Sequence, residues 1–445
     1  MKQAVVIFFL IGIWSASAPA QAIGEIGSSE VPGRSGADPT SARQLSQIRD
    51  ELASLRDEYE QRLASLETQL EELQIQMLRG GTEEALPAPT TSASQSAYNT
   101  LNPSISVIGN FLVRGDSDRI FSPDGDRIDN NLNLREVEID MRVPVDPFAD
   151  AVLIASFESE TPGNIEAGIE EGYINIKKLP FMPNPLGLRF KVGRFRPDFG
   201  RFNVLHTHDL PQSFRSMSTE EFLGEEGFIQ QGVSAEFYVP KPWKGEDSLS
   251  AKLQIIDGGD IAVSPEANGR KAYLGKITWF NTFNGTHNLE LGGSTYSHPG
   301  AEDKATTRLH AVDFMYKWKP FRQGEWKSYV LGGEVLFADP RPSSIDPGAP
   351  SGRPWGGSVF TQWQLDRRKY VGVRGDYTKS LSDSKKTRRG VTPYLSYYVS
   401  EFFRLRLNYE HRWSDILAED GRDSVFLELS WIFGGHPPEP FWVNK

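Results

Sequence analysis

The 445-residue chain contains no cysteine. It can therefore form no disulfide bond, and zinc sites built on thiolates are excluded. It also lacks any run of about 18 to 20 apolar residues, which a membrane-spanning helix needs, so a helical membrane protein is excluded. No basic stripe with interleaved aromatic residues is present, which excludes a nucleic-acid-binding surface. The formal net charge is −11.

A readable catalytic constellation is also missing. Ser294 and Ser297 lie near His298, but no nucleophile elbow surrounds them and no third catalytic member can be identified. We therefore expect no enzymatic activity and no cofactor.

The first 22 residues have the pattern of a targeting segment. Lys2 precedes an apolar core from Ala4 to Trp14, and Ala20-Gln21-Ala22 forms a small-x-small cleavage site. This pattern predicts a secretory signal peptide over residues 1–22. The alternative is a short N-terminal anchor.

A long helix is predicted next. Residues 23–40 are rich in Gly, Ser and Pro and are predicted to be disordered. Residues 41–79 carry apolar side chains at spacings of three and four, with one four-residue stutter, which predicts a coiled coil. The seam consists of Leu45, Ile48, Leu52, Leu55, Tyr59, Leu63, Leu66, Leu70, Leu73 and Met77. The alternative is a lone amphipathic helix. Residues 80–101 read as a linker.

From residue 102 to 434 the chain alternates apolar and polar residues with period 2. In Phe403–Trp413, for example, Leu405, Leu407 and Tyr409 share one face, and Arg404, Arg406 and Glu410 share the other. Sixteen such segments follow one another, and connections that include most of the long ones alternate with shorter ones. Repeated strands of this kind predict an all-β, sixteen-stranded antiparallel transmembrane β-barrel whose apolar faces meet lipid and whose ionic faces line a water-filled lumen. A soluble β-helix or sandwich is the alternative.

The even strand count places both ends of the barrel on the side of the short turns. That side faces the periplasm in an outer-membrane barrel, so the coiled coil is predicted to be periplasmic. Residues 435–445 form a tail to which we assign no role.

The connection between the fifth and sixth strands, 197–227, is the longest one and is acidic. Folded inward, it would oppose basic side chains of the late strands and create a transverse electric field at a constriction. A solvated surface lid is the alternative for the loop, and an ordinary ion pair is the alternative for each wall arginine. The candidate pore-lining residues are Arg374, Arg404, Arg406, Arg412, Arg196, Arg201, Arg215, Asp209, Glu220, Glu221, Glu225 and Glu226.

His206 and His208 in the same loop are candidate metal ligands, because imidazole suits zinc or copper. Two histidines at this spacing are also common as hydrogen-bonded surface groups. A metal-uptake channel is therefore one alternative function.

The barrel resembles the phosphate-selective porin O and P family. The resemblance covers roughly residues 102–442 and rests on NPSISVIGNFLV, KVGRFRPDFGRFNVLHTHDLP and FLGEEGF. It implies a homotrimeric, sixteen-stranded channel that passes anions or other small solutes by diffusion. Phosphate-specific members carry an arginine ladder and a lysine cluster along the pore, whereas the long loop here is acidic.

Together these features predict an outer-membrane porin for passive diffusion of small ions or solutes, with anions such as phosphate among them. Its partners would be outer-membrane lipid, two further copies of the chain and the solutes in transit. The alternative from a different class is a structural anchor whose coiled-coil stalk tethers the outer membrane.

Overall fold

The computed structural model describes residues 103–121, 126–159, 164–259, 261–264, 269–300, 306–339, 352–415, 420–435 and 443. The predicted signal peptide, coiled coil and linker, and nearly all of the C-terminal tail, lie outside the described residues and stay predictions. Among the described residues, no helix combines the length and apolarity that a membrane crossing requires.

Sixteen strands, one short α-helix and one 3-10 turn make up the described fold. The strands are β1 (Ser104–Asp116), β2 (Leu132–Asp146), β3 (Ala149–Glu158), β4 (Glu166–Ile176), β5 (Arg189–Phe195), β6 (Gln230–Tyr238), β7 (Ser248–Asp257), β8 (Lys271–Phe283), β9 (His287–His298), β10 (Thr307–Trp318), β11 (Tyr329–Ala338), β12 (Trp355–Gln364), β13 (Lys369–Lys379), β14 (Thr387–Ser400), β15 (Phe403–Ser414) and β16 (Arg422–Gly434). The 3-10 turn is Thr207–Asp209 and the helix, α1, is Met217–Leu223.

The sheet closes on itself. Each strand pairs antiparallel with its neighbours in sequence, and β1 pairs with β16, so the order is a closed barrel. At the seam, Ile108 lies opposite Ile432. The predicted sixteen-stranded antiparallel barrel is confirmed.

The two faces of the strands have opposite chemistry. On β15, Arg404 and Arg406 are buried inside the barrel, whereas Leu407 and Trp413 are exposed on the outer surface. On β10, Asp313 is buried and Val312 is exposed. An apolar outer band around a polar interior is the arrangement of a transmembrane barrel.

The connections divide between the two ends of the barrel as expected. Short turns such as 147–148, 284–286 and 401–402 lie at the end where β1 begins and β16 ends. The longest connection that the structure describes throughout, 196–229, begins and ends at the opposite end.

The interior is less ionic than the predicted water-filled lumen. From β7 to β12, many inward side chains are apolar, including Ile256, Leu309, Met315 and Val330, all at most 1% exposed. They pack against apolar side chains of the connection 196–229, which enters the barrel. Two apolar clusters therefore occupy this half of the interior, and the second also includes Val443.

Candidate functional site

The connection between β5 and β6, residues 196–229, is the inner loop. It enters the lumen and is attached to wall strands on both sides of the barrel. Its helix α1 begins where the Ser216 side chain accepts a hydrogen bond from the backbone N–H of Thr219, at 3.2 Å. Helix α1 is in contact with β11, β12, β13 and β14. The loop thus lies inside the barrel, and it does not form a surface lid.

Apolar contacts attach one side of the inner loop to β7–β12. Phe199, Phe222 and Phe228 are at most 1% exposed and belong to one buried cluster. The ring of Phe228 meets that of Tyr296 edge to face, with 5.6 Å between the centroids. Removing these rings from water is the main force that draws this side of the loop onto the wall.

The carboxylate of Glu334, on β11, accepts hydrogen bonds from the inner loop at the point where the loop turns inside the lumen. Its Oε2 accepts hydrogen bonds from the backbone N–H groups of Arg201 and Phe202, at 2.9 and 3.3 Å. Its Oε1 accepts one from the Thr219 hydroxyl at 3.1 Å. Gly200, with φ of 59°, passes so close that a Cβ atom would lie 2.6 Å from Oε2. Only glycine fits this turn without strain.

Arginines of the opposite wall hold the backbone of the inner loop. Arg404 donates to the His208 carbonyl at 2.7 Å, and Arg406 donates to the Leu210 carbonyl at 2.6 Å. Two others act alike: Arg374 donates to the Phe214 carbonyl and Arg135 to the Ser213 carbonyl. We call these four side chains the arginine wall. They satisfy carbonyl groups that burial would otherwise leave without hydrogen bonds.

Glu428 on β16 supplies the counter-charge of the arginine wall. Its side chain is fully buried, with Oε1 2.9 Å from Arg404 and Oε2 3.2 Å from Arg406. Arg135 lies 3.7 Å from the same carboxylate. One carboxylate thus neutralises part of a buried group of three guanidinium ions.

Carboxylates of β2, β3 and β4 face the two histidines of the inner loop. We call the set Glu136, Glu138, Glu158, Glu170 and Glu171 the carboxylate cluster. Three overlapping groups drawn from this cluster and the two histidines bring their ligand atoms within 4.8 Å of one another: Glu136, Glu138 and His208; Glu138, Glu170 and His206; and Glu136, Glu158 and Glu170. The rings of His206 and His208 stack with their centroids 5.7 Å apart.

His206 is saturated by carboxylates. Its Nδ1 lies 2.7 Å from Glu170 and 3.1 Å from Glu138, and its Nε2 lies 2.9 Å from Glu171. Burial alone would lower the pKa of His206, but these three carboxylates raise it well above the ordinary value. Through these contacts His206 attaches the inner loop to β2 and β4.

On the side of the long connections, the inner loop leaves a cavity of about 280 Å³, the mouth cavity. Six guanidinium groups and six carboxylates line it. The guanidinium groups are those of Arg114, Arg135, Arg215, Arg388, Arg412 and Arg422, and the carboxylates are those of Glu136, Glu158, Glu220, Glu225, Glu226 and Glu410. Four of the six guanidinium groups come from strands β1 and β14–β16, and three of the six carboxylates come from the inner loop.

Glu220 on α1 is a titratable group of this cavity. Burial raises its pKa to about 7, which the nearby Arg412 and Arg388 only partly oppose. Burial also raises the pKa of Glu225. Both carboxylates therefore lose their charge at a higher pH than an ordinary glutamate.

The structure brings the predicted site residues together in two ways. Arg215, Arg412, Glu220, Glu225 and Glu226 line the mouth cavity. Of these, Arg412 also pairs with Glu410, and Arg215 donates to the carbonyls of Phe202 and Leu205. The other candidates contact protein groups and do not line the cavity. Arg374, Arg404 and Arg406 hold the inner loop, Arg196 pairs with Glu170, Arg201 with Glu290 and Glu221 with Arg388, and Asp209 lies 3.6 Å from His208.

Sequence reasoning missed Glu138, Glu170, Glu334 and Glu428. Glu138, Glu334 and Glu428 lie on the inward faces of their strands, so the period-2 pattern could have identified them as lumen residues. Glu170 lies where the register of β3 and β4 shifts, next to the equally buried Glu171, and simple alternation does not indicate it. Their partners lie far away in sequence, as Glu334 does from Phe202. No local spacing encodes such a pairing.

No family model matches the chain. An uncharacterized protein of Aquifex aeolicus (strain VF5) is 24% identical to it over 344 residues, 70% of each chain. Among solved structures, OprB of Pseudomonas putida superposes with a TM-score of 0.51 at 9% identity, over 76% of this chain and 96% of that one. The outer-membrane channel DcaP of Acinetobacter baumannii gives 0.49 at 12% identity, over 75% and 97%. The anion-selective porin of Comamonas acidovorans gives 0.48 at 11% identity, over 75% and 99%.

The likeness to OprB is one of fold. The narrower resemblance to the phosphate-selective O and P family stays a prediction.

Proposed function

We propose that the chain is an outer-membrane porin whose channel passes small ions and solutes by passive diffusion. The observation that carries the proposal is the inner loop, which is held inside a closed barrel and bounds a charged cavity at the end of the long connections. A purely structural anchor would have no need for a loop attached to so many strands of the lumen wall. No bond-making chemistry is part of the proposal.

Opposed charges in the mouth cavity support a transverse field. Arg412 and Arg422 come from the wall strands β15 and β16, and Glu225 and Glu226 come from the inner loop. Water between low-dielectric walls focuses such a field and orders small charged or dipolar solutes as they pass. The cavity would therefore act as the selective region.

The balance of charges favours small anions, of which phosphate is an example, near and below neutral pH. Guanidinium groups keep their charge throughout this range. Glu220 and Glu225, in contrast, have raised pKa values and become neutral at a higher pH than an ordinary glutamate does. The cavity then carries excess positive charge, which attracts anions.

The outer surface supports a homotrimer. Outward positions of β3 and β4 include the small residues Ala151, Ala155 and Gly172. Those of β12 and β15 include Trp363 and Trp413, both about half exposed. Aromatic residues suit a lipid interface, whereas small residues allow a second barrel to approach closely. In this arrangement the coiled coil would lie in the periplasm and join the three chains.

Single-channel recording in planar lipid bilayers tests the proposal. We expect steps that close in groups of three and a reversal potential of the sign for anions in a salt gradient. Arg412→Gln should lower the anion-to-cation permeability ratio and Glu225→Gln should raise it, each by about twofold to fivefold. This corresponds to about 0.4 to 1 kcal/mol, the order expected for one charge a few Å away in water.

Arg368→Gln, in an exposed turn on the opposite side, is the matched control and should leave the ratio unchanged. A protein that inserts but stays silent would overturn the porin and favour the anchor.

A further inference from the structure

Part of the carboxylate cluster has the geometry of a metal site. Glu136 and Glu138 are two residues apart on β2, so both point into the barrel. His208 reaches them from the inner loop. Its Nδ1 lies 3.2 Å from Oε1 of Glu138 and 3.9 Å from Oε2 of Glu136.

Two polar atoms of this group have no hydrogen-bond partner among the described residues. They are Nδ1 of His208 and Oε2 of Glu136, in side chains that are only 8% and 6% exposed. Glu138 is close to Nδ1, but the two groups are not aligned for a hydrogen bond. Buried polar atoms normally find partners, and a cation bound to both atoms would satisfy them together.

The separations suit a small tetrahedral ion. Ligand bonds of about 2.0 to 2.1 Å imply ligand-to-ligand edges of about 3.3 Å, and the separations of 3.2 and 3.9 Å from Nδ1 of His208 to the two carboxylates bracket this edge. Only a small movement of the Glu136 carboxylate is needed. His206 does not compete for the role, since three carboxylates already occupy its two nitrogens.

We propose that Glu136, Glu138 and His208 bind a divalent first-row transition-metal ion such as Zn²⁺. One imidazole and two carboxylates are ligands that zinc accepts, and three protein ligands leave a fourth position for water. Glu136 lines the mouth cavity, which gives the ion a path to the site and the fourth position an open side. An imidazole ligand favours zinc over magnesium or calcium, which prefer oxygen ligands alone.

Binding would join the inner loop to β2 through the metal. It would also neutralise negative charge on the β2 side of the mouth cavity. The site thus couples metal concentration to the position of the loop and to the charge of the cavity. The proposal does not depend on conduction through the barrel, because it concerns only the contacts of these three side chains.

Isothermal titration calorimetry of the full-length protein in detergent, with ZnCl₂ as the probe, tests the site. We expect saturable binding of one Zn²⁺ per chain, with affinity at least tenfold lower in Glu136→Gln and in His208→Asn. His310→Asn is the matched control, since His310 lies on β10 beside Thr295, and it should bind as the unaltered protein does. MgCl₂ should bind at least tenfold more weakly than ZnCl₂.

X-ray absorption at the zinc edge of the unaltered protein gives a second measurement that needs no variant. The expected first shell contains one imidazole nitrogen with oxygen atoms. A shell of oxygen alone, no binding to the unaltered protein, or an affinity in both ligand variants as high as that of the unaltered protein would each overturn the proposal. Calorimetry requires no ion flow, so a failed zinc site and a silent channel are distinguishable.

Discussion

The two halves of the lumen wall attach the same inner loop by different physics. From β7 to β12 the attachment is mainly apolar, with Phe199, Phe222 and Phe228 buried against the wall. From β13 through β16 to β4 it is ionic, through the arginine wall and the carboxylate cluster. Apolar contact is non-directional, so it determines only which part of the wall the loop packs against. Hydrogen bonds to charged groups are directional and determine which residue faces which.

The difference also separates stability from selectivity. The apolar half also holds buried charged side chains, such as Asp313 and Glu334. Its described strands do not line the mouth cavity, however, whereas the charged half borders that cavity. Buried ions cost desolvation free energy that only well-placed partners offset. The charged half should therefore tolerate the loss of one partner less well than the apolar half tolerates the loss of one ring.

Removing the counter-charge of the arginine wall should have the largest effect. Glu428→Gln leaves three buried guanidinium groups without their shared carboxylate. We expect the free energy of unfolding to fall by about 4 kcal/mol, measured by urea-induced unfolding in detergent micelles. The control is Glu325→Gln, which breaks an exposed pair with Arg367 and should cost under about 1 kcal/mol. If the free energy of unfolding fell equally in the two variants, Glu428 would not be the counter-charge of the arginine wall.

Removing an apolar contact should come next. Phe222 is 0% exposed, so Phe222→Ala leaves a buried cavity. The free energy of unfolding should fall by about 3 kcal/mol. Because α1 then loses its hold on the wall, single-channel conductance should rise. Phe321→Ala, in a turn where the ring is 81% exposed, is the control. If the stability falls as expected but the conductance is unchanged, the charged half of the wall alone holds the loop in place.

The smallest effect should be the titration of Glu220. Its pKa is about 7, so raising the pH through 7 adds a negative charge to the mouth cavity. The anion-to-cation permeability ratio should fall by about twofold between pH 5 and pH 9, measured from reversal potentials at each pH. Glu220→Gln should make this step clearly smaller, because only the other carboxylates of the cavity then titrate. A step of the same size in the variant would assign the titration to another group.

The sequence predicts the barrel well because the same alternation of apolar and polar residues recurs in strand after strand. Lipid outside and a largely polar interior favour alternation along many of the strands, and each alternation, such as Val312 with Asp313, is visible within a few residues. The parity of the long and short connections then follows from antiparallel pairing. Both are local patterns summed over sixteen strands.

The attachment of the inner loop could not be predicted in the same way. An inward Leu309 or Met315 weakens the alternation, and only the loop packed against it explains why. Arg404 and Arg406 were readable as lumen residues, yet their bonds to the carbonyls of His208 and Leu210 join positions nearly two hundred residues apart. Side-chain type indicates charge, whereas the partner depends on the closed barrel.

The seam where Ile108 lies opposite Ile432 has a consequence for assembly. Until β16 is in place, the growing sheet has two unpaired edges, each able to join another chain. Contacts so distant in sequence form slowly. During assembly, the unpaired strand edges of this protein should therefore require protection until β1 pairs with β16 and the barrel closes.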